Sequence, residues 1–410
     1  MSNGITFTTM LVFIEKISFG GYKSINNVEV NFKRGLNLVI GPNGAGKTNF
    51  LNFLHKSIRG YADGIDQFKI EILYTIIKEG QLFQEEVHHI KSKSRIIPFK
   101  TNFKKEVSLS YSINDSSVIN ESRELEQDQE VSDFFEHLFA LKAPLPNFST
   151  VFFQHNIPES LAFLSKPGQY TFNYDWGMIH GLPDSKRSTI FERYILDVYA
   201  WDILEKLKKG TKRNLKDVER ADLAEELVDD FRRSSQVSLD DKLSYLLTEF
   251  THIAGIRVAS GITTKWIKNE SFSLGNIFLE FKIDDEWYRW DSLSDGTQRL
   301  LLMISTIHSY NSGIMLIEEP ELGIHPHQLD RLMNFLKEEA ESKQIIVTTH
   351  SPQVLDILDE EDIDRIIIAQ YSDNQTEIKN INEEQIQKAL IYTRESFLSD
   401  FWRHTDELKL

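Results

Sequence analysis

The residues best suited to chemistry form one run, Gly41-Pro42-Asn43-Gly44-Ala45-Gly46-Lys47-Thr48, with the spacing G-x-x-x-x-G-K-T. The run lies between an apolar stretch of strand length, residues 36–40, and residues 49–58, whose apolar side chains have helical spacing. Its glycines let successive backbone N–H groups point into one concavity, and the following helix adds the positive end of its dipole. In such a loop the lysine reaches the β- and γ-phosphates of a nucleotide, and the threonine hydroxyl holds Mg²⁺. The run therefore predicts a site for ATP and Mg²⁺, formed by Asn43, Gly44, Ala45, Gly46, Lys47, Thr48 and Asn49.

Two carboxylates follow a second apolar run, Ile314-Met315-Leu316-Ile317. Uninterrupted hydrophobic residues are typical of a central parallel strand that is covered on both faces. Open α/β sheets bind their ligands at the carboxyl ends of such strands, which is where Glu318 and Glu319 are expected. We predict that Glu318 supports the Mg²⁺ shell and that Glu319 polarises the attacking water as a general base. The alternative is a strand followed by a solvated acidic loop.

A histidine follows a third apolar run, residues 344–349. This run also predicts a buried strand, which places His350 at the carboxyl edge of the same sheet. A histidine at this position can form a hydrogen bond with the γ-phosphate and respond to its presence. The alternative is a structural histidine with ordinary hydrogen-bond partners.

In order and spelling, these motifs resemble ABC-type ATPases of the RecF, SMC and OLD (overcoming lysogenization defect) kind, rather than transporter ATPases. Residues 293–298, Leu-Ser-Asp-Gly-Thr-Gln, resemble the signature motif of these proteins. The resemblance implies that Ser294 and Gly296 contact the γ-phosphate bound to the opposite subunit. Residues 151–154, Val-Phe-Phe-Gln, are similar to the strand that leads to the Q-loop, which implies that Gln154 senses Mg²⁺. Residues 319–326 are similar to the segment from the catalytic glutamate through the D-loop.

The resemblance covers roughly residues 12–60, 148–156 and 287–370. It implies an α/β P-loop NTPase fold of the ABC-ATPase type, with a mixed or parallel central sheet, a β-rich subdomain and a compact helical insertion. We expect two parts of an ATPase head at 1–154 and 276–370, a helical lobe at 155–275 and a helical tail at 371–410. Glu318 departs from the aspartate that is more usual before the catalytic glutamate, and the longer side chain still suits metal support.

Composition limits the class of protein. The formal net charge of −16 argues against a broad nucleic-acid surface but leaves room for a local one. Basic clusters occur at 91–105 and 206–216, and a solvated helix with paired charges is the alternative for the second. The absence of cysteine excludes disulfides and thiolate metal sites. No apolar run approaches the roughly 18 residues of a membrane span, and no secretory leader is evident, so we expect a cytoplasmic protein.

Periodicity predicts the remaining elements. Strands are expected at 68–77, 106–113, 277–283, 365–369 and 376–381. Residues 114–135 are expected to form a loop into a helix. Helices are expected at 184–209 and 383–410, and a helical pattern that breaks around residues 234–235 is expected over 215–253.

Three functional classes remain open. OLD nucleases continue into a TOPRIM nuclease domain, for which the roughly forty residues after 370 give no room. The resemblance therefore favours an ATPase that dimerises around ATP, as a homodimer or a larger oligomer of such dimers, and controls a separate effector. That effector would be a nuclease or a toxin in bacterial anti-phage defence. The alternatives are a RecF-like repair ATPase that binds DNA directly and a non-catalytic scaffold gated by nucleotide.

Overall fold

The structure is a computed structural model, and the part of the chain that it describes excludes several segments. Described residues are 10–58, 69–79, 85–98, 103–113, 116–125, 150–153, 168–173, 179–180, 239–258, 263–267, 271–277, 279–309, 313–393 and 396–404. The chain divides into a first unit, Met1–His155 with Asn311–Leu410, and a second unit, Asn156–Tyr310. The predicted boundaries at 154, 275 and 370 stay predictions.

The elements follow in chain order. The strands are β1 (Met10–Gly20), β2 (Val28–Asn31), β3 (Leu36–Ile40), β4 (Lys69–Glu79), β5 (Glu85–Pro98), β6 (Phe103–Ile113), β7 (Ser116–Leu125), β8 (Thr150–Phe153), β9 (Gly168–Asn173), β10 (Ile179–His180), β11 (Ile253–Val258), β12 (Thr263–Ile267), β13 (Ser271–Ile277), β14 (Leu279–Ile283), β15 (Glu286–Arg289), β16 (Ile314–Glu318), β17 (Gln344–Thr349), β18 (Ile366–Ser372) and β19 (Gln375–Asn380). The described α-helices are α1 (Lys47–Ile58), α2 (Asp241–Thr251), α3 (Asp295–Ser309), α4 (Pro326–Glu339), α5 (Glu383–Thr393) and α6 (Leu398–His404). Short 3₁₀ helices cover Trp290–Ser292, Pro352–Ile357 and Glu360–Arg365.

The core of the first unit is a six-stranded sheet in the order β19-β18-β3-β17-β16-β8. Its pairs are parallel from β8 to β18, and β19 returns antiparallel to β18. Every residue of β3, β16 and β17 is buried, which explains why apolar residues follow one another in these strands instead of alternating with polar ones. The predicted strands at 36–40, 314–317 and 344–349 are confirmed, as is the α/β P-loop NTPase fold with a mixed, mainly parallel sheet.

A second six-stranded sheet of the first unit is antiparallel, in the order β2-β1-β4-β5-β6-β7. The buried amide of Gln344, at the start of β17, joins β1 to the core sheet. Its Oε1 accepts a hydrogen bond from the N–H of Ile14 at 2.9 Å, and its Nε2 donates to the carbonyl oxygens of Ile14 at 2.9 Å and Lys33 at 3.0 Å. One side chain therefore satisfies three main-chain groups between the two sheets.

Replacing this amide should destabilise the first unit. Gln344→Leu keeps a similar volume but removes all three hydrogen bonds. The carbonyl oxygen of Lys33 keeps a second donor, Nδ2 of Asn37 at 2.8 Å, so the loss falls mainly on the two buried main-chain groups of Ile14 and costs at least about 2 kcal/mol. We expect the melting temperature to fall by at least about 4 °C for a unit of this size. Gln375→Leu, at an exposed position of β19, is the matched control and should change the melting temperature by less than about 1 °C. Equal shifts in the two variants would contradict this role of Gln344.

The second unit contains α2 and α3, a sheet in the order β11-β14-β15 and another in the order β10-β9-β13-β12. Asp240 caps α2 by accepting a hydrogen bond from the N–H of Leu243 at 2.9 Å, and the same carboxylate oxygen lies 3.1 Å from Nε2 of His308 on α3. The strands between 168 and 277 were not predicted, because only a helical lobe was expected there. The predicted helix at 184–209 lies outside the described residues.

Two other predictions were wrong. Residues 116–125 form the edge strand β7 rather than part of a loop into a helix. The carboxyl-terminal segment forms two helices, α5 and α6, rather than one from 383 to 410.

In the first basic cluster, Lys91, Lys93 and Arg95 occupy alternate positions of β5, and the second cluster lies outside the described residues. Among the residues that the structure describes, no helix is long and apolar enough to cross a bilayer.

Candidate functional site

The phosphate loop connects β3 to α1, as the sequence predicts. Gly44 and Gly46 have φ values of 82° and 92°, in the region that disfavours side chains. A Cβ atom on Gly46 would lie 2.3 Å from the hydroxyl oxygen of Thr376, so the loop also needs glycine there for space. Thr376 in turn is 2.7 Å from the hydroxyl of Ser24. The β18–β19 hairpin and the turn after β1 therefore support the loop from one side.

Lys47 is the cation of this loop, and its side chain is almost fully buried. Its Nζ donates hydrogen bonds to the carbonyl oxygens of Gly41 at 2.7 Å and Pro42 at 3.0 Å. Burial lowers the pKa of Lys47 below its usual value, and three carboxylate charges act in the opposite direction. Those carboxylates belong to Glu319, Glu321 and Glu318. The lysine therefore carries its positive charge within reach of three carboxylates.

Thr48 and Glu318 meet at the amino terminus of α1. The threonine hydroxyl donates a hydrogen bond to Oε1 of Glu318. Glu318 is buried, with 2% of its surface exposed. A hydroxyl and a carboxylate side by side are oxygen ligands of the kind that Mg²⁺ accepts, together with water and phosphate oxygens. Thr48 and Glu318, two of the three residues that the sequence predicts for the metal, thus lie together, and they fit the ion.

Asn49, which is also predicted to bind the nucleotide, is half-buried in the first turn of α1. Its Oδ1 accepts a hydrogen bond of 2.8 Å from Nζ of Lys23, which sequence reasoning did not assign to the site. Lys23 has a φ of 51° in the turn after β1. A second cation therefore stands beside the phosphate loop.

Glu319 and His350 follow adjacent strands and lie close together. Glu318 on β16 is opposite Thr348 on β17, and the N–H of Glu319 donates to the carbonyl oxygen of Thr348 at 2.8 Å. Nδ1 of His350 is 3.3 Å from Oε1 of Glu319. Glu319 has a φ of 44°, an uncommon value for a residue with a side chain. The parallel strands therefore bring the two sequence-predicted catalytic residues into one cluster.

Sequence reasoning missed Glu321 in this cluster. Its Oε1 accepts hydrogen bonds from the hydroxyl of Thr349 at 2.6 Å and from the N–H of His350 at 3.2 Å. The same oxygen is 3.3 Å from Nδ1 of His350. The only signal was the E-P-E spacing after β16, because the partners of Glu321 are 28 and 29 residues away.

The remaining predicted site residues are Ser294, Gly296 and Gln154. Ser294 caps the 15-residue helix α3 in the second unit, where its hydroxyl accepts a hydrogen bond from the N–H of Thr297 at 3.2 Å. Gly296 is in the first turn of this helix. The N–H groups of that turn and the helix dipole favour an anion. Gln154 lies outside the described residues.

Residues 36–356 match the protein family described as "AAA domain, putative AbiEii toxin, Type IV TA system". This range is more than half of the chain and includes the phosphate loop, Glu319 and His350. The chain belongs to this AAA-domain family. Membership of the AAA-domain family supports the predicted ATPase head. The finer OLD-like assignment stays a prediction.

The chain is also similar to a curated protein and to solved structures of SMC heads. A 61-residue stretch is 34% identical to the DNA double-strand break repair Rad50 ATPase of Nanoarchaeum equitans, spanning 14% of this chain and 8% of that protein. A solved SMC head bound to the C-winged helix domain of ScpA is 14% identical, with a TM-score of 0.47, over 92% of this chain and 99% of that chain. The SMC head domain from Thermotoga maritima is 12% identical, with a TM-score of 0.40, over 90% of this chain and 99% of that chain. The chain therefore spans less than a tenth of the curated relative that it matches.

Proposed function

We propose that this chain binds ATP with Mg²⁺ at the phosphate loop and hydrolyses it. The observation that carries the proposal is the set of polar groups at the carboxyl ends of three adjacent parallel strands, β3, β17 and β16. The phosphate loop follows β3, His350 follows β17, and Glu319 follows β16. These edges are where open α/β sheets bind ligands. The AAA-domain family match supports the same conclusion.

Each residue has a distinct part in the proposed reaction. Lys47 and the N–H groups of residues 43–48 bind the phosphates and offset their charge. Thr48 and Glu318 hold Mg²⁺, which supplies further positive charge to the phosphate oxygens. Glu319 accepts a proton from the attacking water, and His350 binds the γ-phosphate from the neighbouring strand. Because the phosphoryl group itself needs little covalent help, positioning and electrostatics account for most of the rate.

We further propose that two chains enclose two ATP molecules, with Ser294 and Gly296 of one subunit facing the γ-phosphate bound by the other. The resemblance of residues 293–298 to the signature motif supports this arrangement. So does the position of Ser294 at the amino terminus of α3, because a helix start presents N–H groups to an anion. In this arrangement, hydrolysis requires the dimer.

Mixing two inactive variants tests the shared site. Lys47→Ala and Ser294→Arg chains should each be inactive alone. In a mixed dimer one composite site carries both changes and the other carries none, so activity should return. Random mixing of dimers gives about a quarter of the wild-type rate. The measurement is phosphate release, with mixed dimers quantified through two different affinity tags.

A second mixture is the matched control. Lys47 and Glu319 of one chain serve the same composite site, so a mixed dimer of Lys47→Ala and Glu319→Gln chains has no intact site. This pair should stay inactive. Absence of recovery in the first pair, with mixed dimers demonstrated, would mean that each chain hydrolyses ATP without Ser294 of another.

We propose that the ATP-dependent dimer controls a separate protein, a nuclease or a toxin, in anti-phage defence. The family description, which names an AbiEii toxin and a toxin–antitoxin system, supports this class of partner. A RecF-like repair ATPase that binds DNA is the second candidate, favoured by the short match to a Rad50 repair ATPase. ATP binding without turnover would instead indicate a nucleotide-gated scaffold.

A further inference from the structure

Glu321 takes part in no step described above, yet it is more buried than the proposed base. Its side chain is 8% exposed, compared with 18% for Glu319. One oxygen, Oε1, holds the two hydrogen bonds from Thr349 and the N–H of His350. The other, Oε2, is buried and makes no hydrogen bond within the described part of the chain. Burying a carboxylate costs free energy, so we expect the buried carboxylate of Glu321 to have a function.

The imidazole of His350 lies between two carboxylates. Its Nδ1 is 3.3 Å from Oε1 of Glu319 and 3.3 Å from Oε1 of Glu321, and it makes a well-directed hydrogen bond to neither. Both neighbours of Nδ1 are acceptors, so a proton on Nδ1 suits this arrangement, and a hydrogen bond from the ring to the γ-phosphate uses a second proton, on Nε2. The two carboxylates therefore compete for one N–H group. Whichever carboxylate binds the imidazole determines whether Glu319 is paired with the ring or available to water.

We propose that Glu321 is a positioning residue that retains the imidazole of His350 and so keeps Glu319 available to the attacking water. This inference rests on the proposed function, in which Glu319 is the base. Glu321 is suited to the role because two donors from β17 and the residue after it fix its oxygen. Glu319 has a left-handed backbone and a more exposed carboxylate. Without Glu321, the imidazole would pair with Glu319 and occupy the proposed base.

Kinetics give the first test. Glu321→Ala should lower kcat about tenfold, as the loss of an orienting partner of a histidine does, with KM within about threefold of wild type. Glu321→Gln keeps an oxygen acceptor for Thr349, so its kcat should be at least about threefold higher than that of Glu321→Ala. Glu321→Gln also replaces Glu321→Ala in the test if the alanine variant does not fold. Glu338→Ala, at an exposed position of α4, is the control and should behave as wild type. A tenfold rise in KM with kcat unchanged would overturn the proposal.

A double variant separates positioning from a general structural effect. If Glu321 acts through His350, then Glu321→Ala combined with His350→Ala should be no slower than the slower single variant. Two independent structural effects would instead multiply. Multiplied losses would therefore overturn the proposal.

Nuclear magnetic resonance of histidine labelled with ¹⁵N in the ring gives a test that needs no turnover. The signal of His350 is identified by its absence in His350→Gln. The proton should stay on Nδ1 in Glu319→Ala, because Glu321 still holds the ring. In the double variant that adds Glu321→Ala, the proton's preference for Nδ1 over Nε2 should be lost. Loss in Glu319→Ala alone would overturn the proposal by making Glu319 the partner. A wild-type protein without ATPase activity would contradict the proposed function, and this spectrum would still decide the role of Glu321.

Discussion

Glu319→Gln should bind ATP with nearly unchanged affinity and hydrolyse it at least about a hundredfold more slowly than wild type, the scale expected for a lost general base. Glutamine has nearly the same shape as glutamate, so the phosphate loop and the left-handed turn after β16 should be preserved. Its amide cannot take a proton from water. Binding is measured by titration with a fluorescent ATP analogue, and hydrolysis by phosphate release under saturating ATP.

The control for this variant is Glu338→Gln, which makes the same chemical change at an exposed position of α4. It should leave both binding and turnover unaltered. Turnover retained in Glu319→Gln would move the base elsewhere. Glu318 is then the next carboxylate to replace, since it ends the same strand.

Lys47→Ala should raise the dissociation constant for ATP at least about a hundredfold, because two charge-assisted hydrogen bonds to phosphate are together worth about 3 kcal/mol or more. The buried ammonium also interacts with the charges of Glu318, Glu319 and Glu321. Removing it leaves the phosphates facing three carboxylates. The same titration measures the effect.

Lys16→Ala is the matched control for the lost charge. Lys16 forms an exposed ion pair with Glu29 on the antiparallel sheet, at 2.6 Å, and such pairs contribute little. Its ATP affinity should equal that of wild type. Unchanged affinity in a folded Lys47→Ala protein would remove the phosphate loop from the account.

The parts of the site that the sequence predicts are those with short-range signals. Glycine and lysine spacing identifies the phosphate loop, because the loop closes on itself within eight residues. Uninterrupted apolar runs, residues 314–317 and 345–347, mark β16 and β17, since the core sheet buries both of their faces. The residues after them then fall at one edge of the sheet by the geometry of parallel strands alone.

The parts that were missed depend on contacts between distant residues. Strand β7 is an edge strand with a polar sequence, so no apolar alternation marked it. Glu321 acquires its meaning only when β17 lies beside β16, which brings Thr349 and His350 to its carboxylate. Lys23 likewise reaches Asn49 only through the turn after β1. Sequence spacing carries no trace of such pairs.

Phosphate release from ATP by the purified wild-type chain, measured beside Lys47→Ala prepared in the same way, tests the central claim most directly. The variant reports any contaminating ATPase, and omission of Mg²⁺ reports the need for the metal. The account predicts Mg²⁺-dependent release by wild type at least about tenfold above the Lys47→Ala preparation. Equal release from the two preparations at saturating ATP and Mg²⁺ would contradict it.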